Sequence, residues 1–164
     1  VRLAFLLSSA AYAVLVVVAA VTMPDRVPLH FGPGGDADRW GSRTEALLVF
    51  GLLGGGVALV LGGIAVLARR LPLRSAWVNL PHKDWWTATP EREERARRRL
   101  SHDFWAIAVG TMTLLCIVLA LTIGAAHSES PRLSAGPWLA VGALAAALLL
   151  AIVMPLRYRP DGDA

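Results

Sequence analysis

Four stretches of this 164-residue chain, 3–23, 46–68, 104–126 and 133–156, contain no Asp, Glu, Lys, Arg or His. Each can cross a hydrocarbon core, which takes roughly 20 residues at helical rise. Backbone inside lipid has to satisfy its own hydrogen bonds, so runs of this length fold there as helices. With 55% hydrophobic residues and a mean hydropathy of +0.54, the chain has too little polar surface for a water-soluble domain. The expectation is an all-α membrane protein, one four-helix domain over 1–164 with spans at about 3–23, 46–68, 104–126 and 136–156. The last span is set to begin near Pro137, because Ser134-Ala135-Gly136-Pro137 reads as a short turn with proline in the first helical turn.

The basic residues fix an orientation. Arg2, nine residues in loop 69–103, Arg157 and Arg159 fall on one side of such a bundle; three in loop 24–45 and Arg132 fall on the other. The positive-inside rule then predicts an N-in/C-in multi-pass membrane protein. Loop 24–45 becomes a structured extracytoplasmic loop and 69–103 a longer basic cytoplasmic loop. Arg2, the apolar 3–7 and Ala11-Tyr12-Ala13 imitate a signal peptide, but the apolar run continues through 14–23, which suits a spanning helix. The pI near 10.2 is read as orientation and contact with anionic lipid, with no nucleic-acid partner.

Cys116 is the single cysteine and lies mid-span, so no intrachain disulfide or cysteine metal cluster is expected. Spans free of carboxylates, lysine, arginine and histidine argue against a proton relay or coupled transporter. Ser8, Ser9, Thr111, Thr113 and Thr122 are expected to bond to neighbouring helices or to backbone.

Local signals place the helix ends. Ser42-Arg43-Thr44-Glu45 reads as a capping box. Thr89-Pro90-Glu91 combines an N-cap, a first-turn proline and an early acid, so 91–100 should be a charged helix that runs into or abuts the third span, with Ser101 a candidate re-capping point. Gly54, Ala58 and Gly62 form a small-residue ridge, and Ala143, Ala147 and Ala151 form another. The second helix packing on the fourth, or a homodimer through either ridge, follows from that pattern, although Gly and Ala are also simply common in spans.

Two loops concentrate the residues able to do chemistry. In the first, His30, Asp36 and Asp38 could give one nitrogen and two carboxylates to a divalent ion if Gly32-Pro33-Gly34-Gly35 reverses the chain; they read more readily as turn formers beside an exposed histidine. Phe31 and Trp40 flank them. In the second, Asn79, Pro81, His82, Lys83, Asp84 and Trp86 form a motif of similar composition. About 30 Å of bilayer would separate the two, so His30 and His82 cannot share a ligand. Trp85 and Trp86, like Trp40, Trp77, Trp105 and Trp138, are read first as interfacial anchors and second as a stacking surface.

Pro24, Val27, Pro28, His30, Phe31, Gly35, Asp38, Trp40, Gly41 and Ser42, followed by Asn79, Pro81, Lys83, Asp84 and Trp86, resemble the motifs of a bacterial membrane domain of unknown function. That domain also forms the N-terminal part of SdpI-type immunity proteins. The resemblance covers roughly residues 5–125, with Arg43 where the family usually has lysine. It implies a membrane bundle. Protection against a secreted toxic peptide and membrane sequestration of a repressor belong to the longer SdpI-type architecture, which continues through further membrane helices.

The leading expectation is a non-enzymatic binding, sensing or immunity-type protein whose His30, Phe31, Asp36, Asp38 and Trp40 recognise an extracytoplasmic peptide or small ligand, without a cofactor. The motif Asn79, Pro81, His82, Lys83, Asp84 and Trp86 would relay or anchor. One alternative is a metal-dependent membrane enzyme using His30, Asp36 and Asp38; another is a structural or accessory subunit. Expected partners are the lipid bilayer, that ligand, and a second copy or another membrane protein.

Overall fold

A computed structural model describes residues 1–133 and 135–160, without the side chains of Pro137, Ala140 and Ala151. Ser134, Pro137 and Ala151, used above to place the last span and its ridge, thus lie wholly or in their side chains outside the described residues. In chain order come α1 (Arg2–Thr22), β1 (Arg26–Phe31), β2 (Ala37–Ser42), α2 (Arg43–Leu67), a 3-10 turn (Ala68–Arg70), α3 (Lys83–Trp86), α4 (Pro90–Ala126) and α5 (Gly136–Arg157). Of the described residues, 70% are helical. α1, α2 with its 3-10 continuation, and α4 are long and apolar enough to cross a membrane; Val141–Arg157 is a shorter fourth apolar stretch. This is the make-up of a multi-pass membrane protein.

The fold is not all helix. Residues 26–42 form a two-stranded antiparallel hairpin, because Val27, Leu29 and Phe31 alternate with Arg26 and His30, and a Gly-Pro-Gly-Gly segment closes the turn. Gly35 takes a positive φ of 82° and donates its N–H to the Gly32 carbonyl at 2.8 Å, a backbone state that costs glycine little.

α1, α2 and α4 share the central core of Phe5, Tyr12, Ala108, Met112 and Leu119. The glycine ridge of α2 meets α1, not α5. A Cβ on Gly54 would stand 2.0 Å from the Tyr12 ring, and one on Gly62 would stand 3.2 Å from Phe5. The missing Cβ is the notch that admits the Tyr12 ring, whose hydroxyl donates to the Phe50 carbonyl at 2.8 Å. An aromatic that fills a notch and finds a hydrogen-bond acceptor satisfies both needs of a polar-tipped ring in lipid. Ser8, Thr111 and Thr122 bond to carbonyls of their own helices, whereas the buried Ser9 hydroxyl, against expectation, meets no partner among the described residues.

α4 is one uninterrupted helix of 37 residues, about 55 Å long at 1.5 Å per residue. That exceeds a hydrocarbon core of about 30 Å, so its charged first turns project beyond the apolar part. Thr89 caps it through the Arg92 N–H at 3.3 Å, as the sequence predicts. Ser101 does not re-cap it: the hydroxyl donates across to the Ala65 carbonyl at 2.7 Å while the helix continues. α2 starts three residues before the uncharged run, at Arg43, with Ser42 accepting from the Glu45 N–H. The reciprocal half of the expected capping box is not formed, because the Glu45 carboxylate pairs with Arg39 at 3.0 Å.

The bundle thus has two dissimilar ends. The C-terminal ends of α1 and α4 and the start of α2 meet the hairpin at one. At the other, the 3-10 turn, α3, the charged part of α4 and Tyr158 enclose a separate core of Ala68, Leu73, Leu80, Trp86, Ala96 and Leu100. α5 joins this basic end through Met154 and Tyr158, and an open slot separates it from α4 along much of its length.

Candidate functional site

At the hairpin end, Val27 is fully buried against Ala19, Met23 and Ala46, which seats β1 on the tips of α1 and α2. Arg43 fixes the same junction: its guanidinium donates to the Met23 carbonyl and to Asp25, each at 3.1 Å. The two acceptors are met by separate nitrogens of the planar fork, a spacing that the single nitrogen of lysine lacks.

Register shifts on both sides of His30 disturb the strand pairing, and such bulges re-aim side chains. His30 Nδ1 lies 2.6 Å from Asp38 Oδ1 with both groups largely exposed. Asp36 turns away from them and pairs with Arg132 at 2.5 Å, where residues 132–133 add a bridge to the turn and the Leu133 N–H donates to the Gly35 carbonyl at 2.7 Å. Trp40 lies under the Arg26 guanidinium at 5.0 Å. The proposed ligand trio is therefore divided: two members meet and the third is engaged elsewhere. Among the described residues no group of three or more His, Cys, Asp or Glu is placed to share an ion.

Behind the hairpin lies an open-mouthed cavity of about 590 Å³ whose walls include Leu29, His30, Phe31, Phe50, Val118 and Leu133. It is mainly apolar, with His30 and Thr122 the polar side chains among its lining, the usual character of a small-ligand site. Of the residues singled out in this loop, His30 and Phe31 line it, Asp38 reaches it through His30, and Asp36 and Trp40 stand outside the lining. Sequence reasoning missed Phe50, Val118 and Leu133, which come from three other segments and carry no polar signal.

His127 ties together the C-terminal tips of α1 and α4. Nδ1 lies 2.7 Å from the Ile123 carbonyl and Nε2 lies 2.7 Å from the Thr22 carbonyl. Two acceptors call for two N–H donors, which only the imidazolium has. The Ile123 and then the Thr22 carbonyl accordingly raise its pKa above the ordinary histidine value, as the C-terminal ends of two helices would favour.

At the basic end the second motif serves packing. Trp86 is fully buried; its indole N–H donates to the Tyr158 carbonyl at 2.9 Å, and Arg99 lies over its ring at 5.2 Å. The reading of Trp86 as an interfacial anchor is corrected: a ring with its N–H satisfied from a segment 72 residues away is core. Lys83 donates to the Ser75 and Val78 carbonyls at 2.6 and 3.0 Å. His82, at φ 54°, precedes the single turn of α3. Pro81 is half-buried, and Asn79 and Asp84 are exposed.

The polar centre here is one that sequence reading passed over. Asp103, 7% exposed in its side chain, accepts from Arg157 at 2.8 Å and from the Tyr158 hydroxyl at 3.0 Å. Burial, then the neighbouring Asp103 carboxylate, push the Tyr158 phenol above its ordinary pKa. The signal was present as an acid one residue before an uncharged run with an arginine just past another, but the pairing spans 54 residues.

A domain of unknown function, DUF1648, is found at residues 7–54, covering most of α1, the hairpin and the first half of α2. No curated protein and no solved structure matches the chain.

Proposed function

We propose that this chain is a four-span, N-in/C-in protein of the bacterial plasma membrane, whose hairpin end recognises an extracytoplasmic peptide or small amphipathic ligand in an immunity- or sensing-type role. The observation that carries the reading is the apolar cavity behind the hairpin, walled by Leu29, Phe31 and Phe50 with the His30 and Asp38 pair at its rim. An apolar side chain entering it would be held by burial, while the rim selects a polar neighbour. The basic residues of 69–103 support the orientation, and the resemblance of both loops to SdpI-type immunity proteins points to a peptide ligand.

The test is enrichment of extracellular peptides on purified protein, read by mass spectrometry. Wild type should retain a peptide that Phe31→Ala and His30→Ala lose by about tenfold. Retention unchanged in both variants would rule out the cavity. For orientation, Gly34→Cys in a Cys116→Ser background should react with an impermeant maleimide in intact cells; protection until lysis would reverse the topology.

A further inference from the structure

A second space in the molecule lies between α4 and α5. It is an open-sided slot of about 710 Å³ with apolar walls, ending at Asp103 and Arg157. Gly110 and Gly142 face it, and a Cβ built on either would have no atom within 4 Å. Ala143 and Ala146 complete the narrow wall on α5. Unlike Gly54, whose notch is filled by Tyr12, these small residues make room that nothing in the described chain occupies.

Size and charge together say what fits. A spanning helix about 30 Å long and about 10 Å across has a volume on the order of 2,400 Å³, more than three times the slot, whereas a single acyl chain is a narrow flexible rod. At the slot's polar end the Arg157 guanidinium is about half exposed, and Arg99 reaches the Arg157 carbonyl at 2.6 Å. The nearby acid, Asp103, is buried and already accepts from Arg157 and Tyr158. Part of the Arg157 guanidinium thus stays accessible at the slot's end, and Arg99, held over the Trp86 and Tyr158 rings, lies just beyond the lining. Basic pockets between membrane helices attract anionic lipid headgroups, and guanidinium matches phosphate geometry.

We propose that the slot between α4 and α5 binds an anionic phospholipid, one acyl chain lying along Gly110 and Gly142 and the headgroup phosphate meeting Arg157 and Arg99. This site is separate from the hairpin cavity and does not depend on the function assigned there.

The experiment is native mass spectrometry of the full chain in mild detergent, with phosphatidylglycerol or phosphatidylcholine added at equal concentration. Wild type should retain phosphatidylglycerol over phosphatidylcholine by about tenfold. Gly142→Leu places its Cβ where no atom lies within 4 Å and extends into the slot, and should lower that retention to the phosphatidylcholine level while leaving the thermal midpoint unchanged. Ala146→Leu serves as the second filling variant if Gly142→Leu does not fold. Equal retention of the two lipids by wild type overturns the proposal, as does undiminished phosphatidylglycerol retention in a folded filling variant. A wild-type dimer that either variant dissociates overturns it in favour of a second copy in the slot.

Discussion

The two loops that carry this chain's motifs share a vocabulary of Pro, His, Asp and Trp, yet fold to opposite ends. In the hairpin, His30, Asp36, Asp38 and Trp40 point outward and their partners are other exposed side chains. In the basic loop, Trp86 is enclosed, Lys83 is tied to backbone carbonyls, and the neighbouring chain packs on Ala96, Leu100 and Tyr158. The difference is what each loop has to cover it. The basic loop is longer and lies against the projecting turns of α4, which give it a surface to pack on. The hairpin has the helix tips beneath it and solvent or headgroups above, so only Val27 and its inward neighbours are buried. A motif of fixed composition is thus a packing element where the fold supplies a lid, and a display element where it does not.

Substitutions can break this contrast. Trp86→Ala should cost about 3–5 kcal/mol of unfolding free energy, measured by denaturant titration in detergent, whereas exposed Trp40→Ala should change it by less than about 1 kcal/mol. Equal losses would show that the two tryptophans do not differ in role. Next in size, Asp103→Ala leaves Arg157 and the Tyr158 hydroxyl without their acceptor and should cost about 3 kcal/mol. Tyr158→Phe, which removes only a donor, should cost about 1 kcal/mol. A loss for Tyr158→Phe as large as that for Asp103→Ala would relocate the centre of this cluster to the phenol.

The smallest effect is at the hairpin end and depends on pH. The folded pKa of His127 is raised by its two carbonyl partners, so its contribution is fully present below the unfolded value of about 6.5. It is lost as pH rises through the higher folded value. The thermal midpoint of wild type should therefore fall as pH is raised from about 6 through that range, by an amount that His127→Gln abolishes. A profile identical in both proteins would remove His127 as the source.

Much of the helical framework was legible because it depends on short-range rules. Uncharged runs long enough for a bilayer marked α1, α2 and the apolar part of α4, and Ser42 and Thr89 marked the starts of α2 and α4. The hairpin was only half legible: Gly32 to Gly35 announced a reversal, but Pro28 within a strand and the irregular register around His30 obscured the pairing. The site was less legible still. His30 and Phe31 stood out by type, whereas Phe50, Val118 and Leu133 look like ordinary apolar residues until the bundle brings them to one cavity.

By itself, then, the sequence determined the solvent and the helices, because hydropathy and capping act over a few residues and lipid leaves the backbone little choice. Tertiary structure alone decided which glycines are filled and which stay open, since Gly54 receives Tyr12 while Gly110 and Gly142 face the slot. It also decided that Asp36 leaves His30 for Arg132 and that Trp86 is enclosed beneath Tyr158. Those outcomes depend on partners 72 to 96 residues apart, whose meeting is set by how whole helices pack.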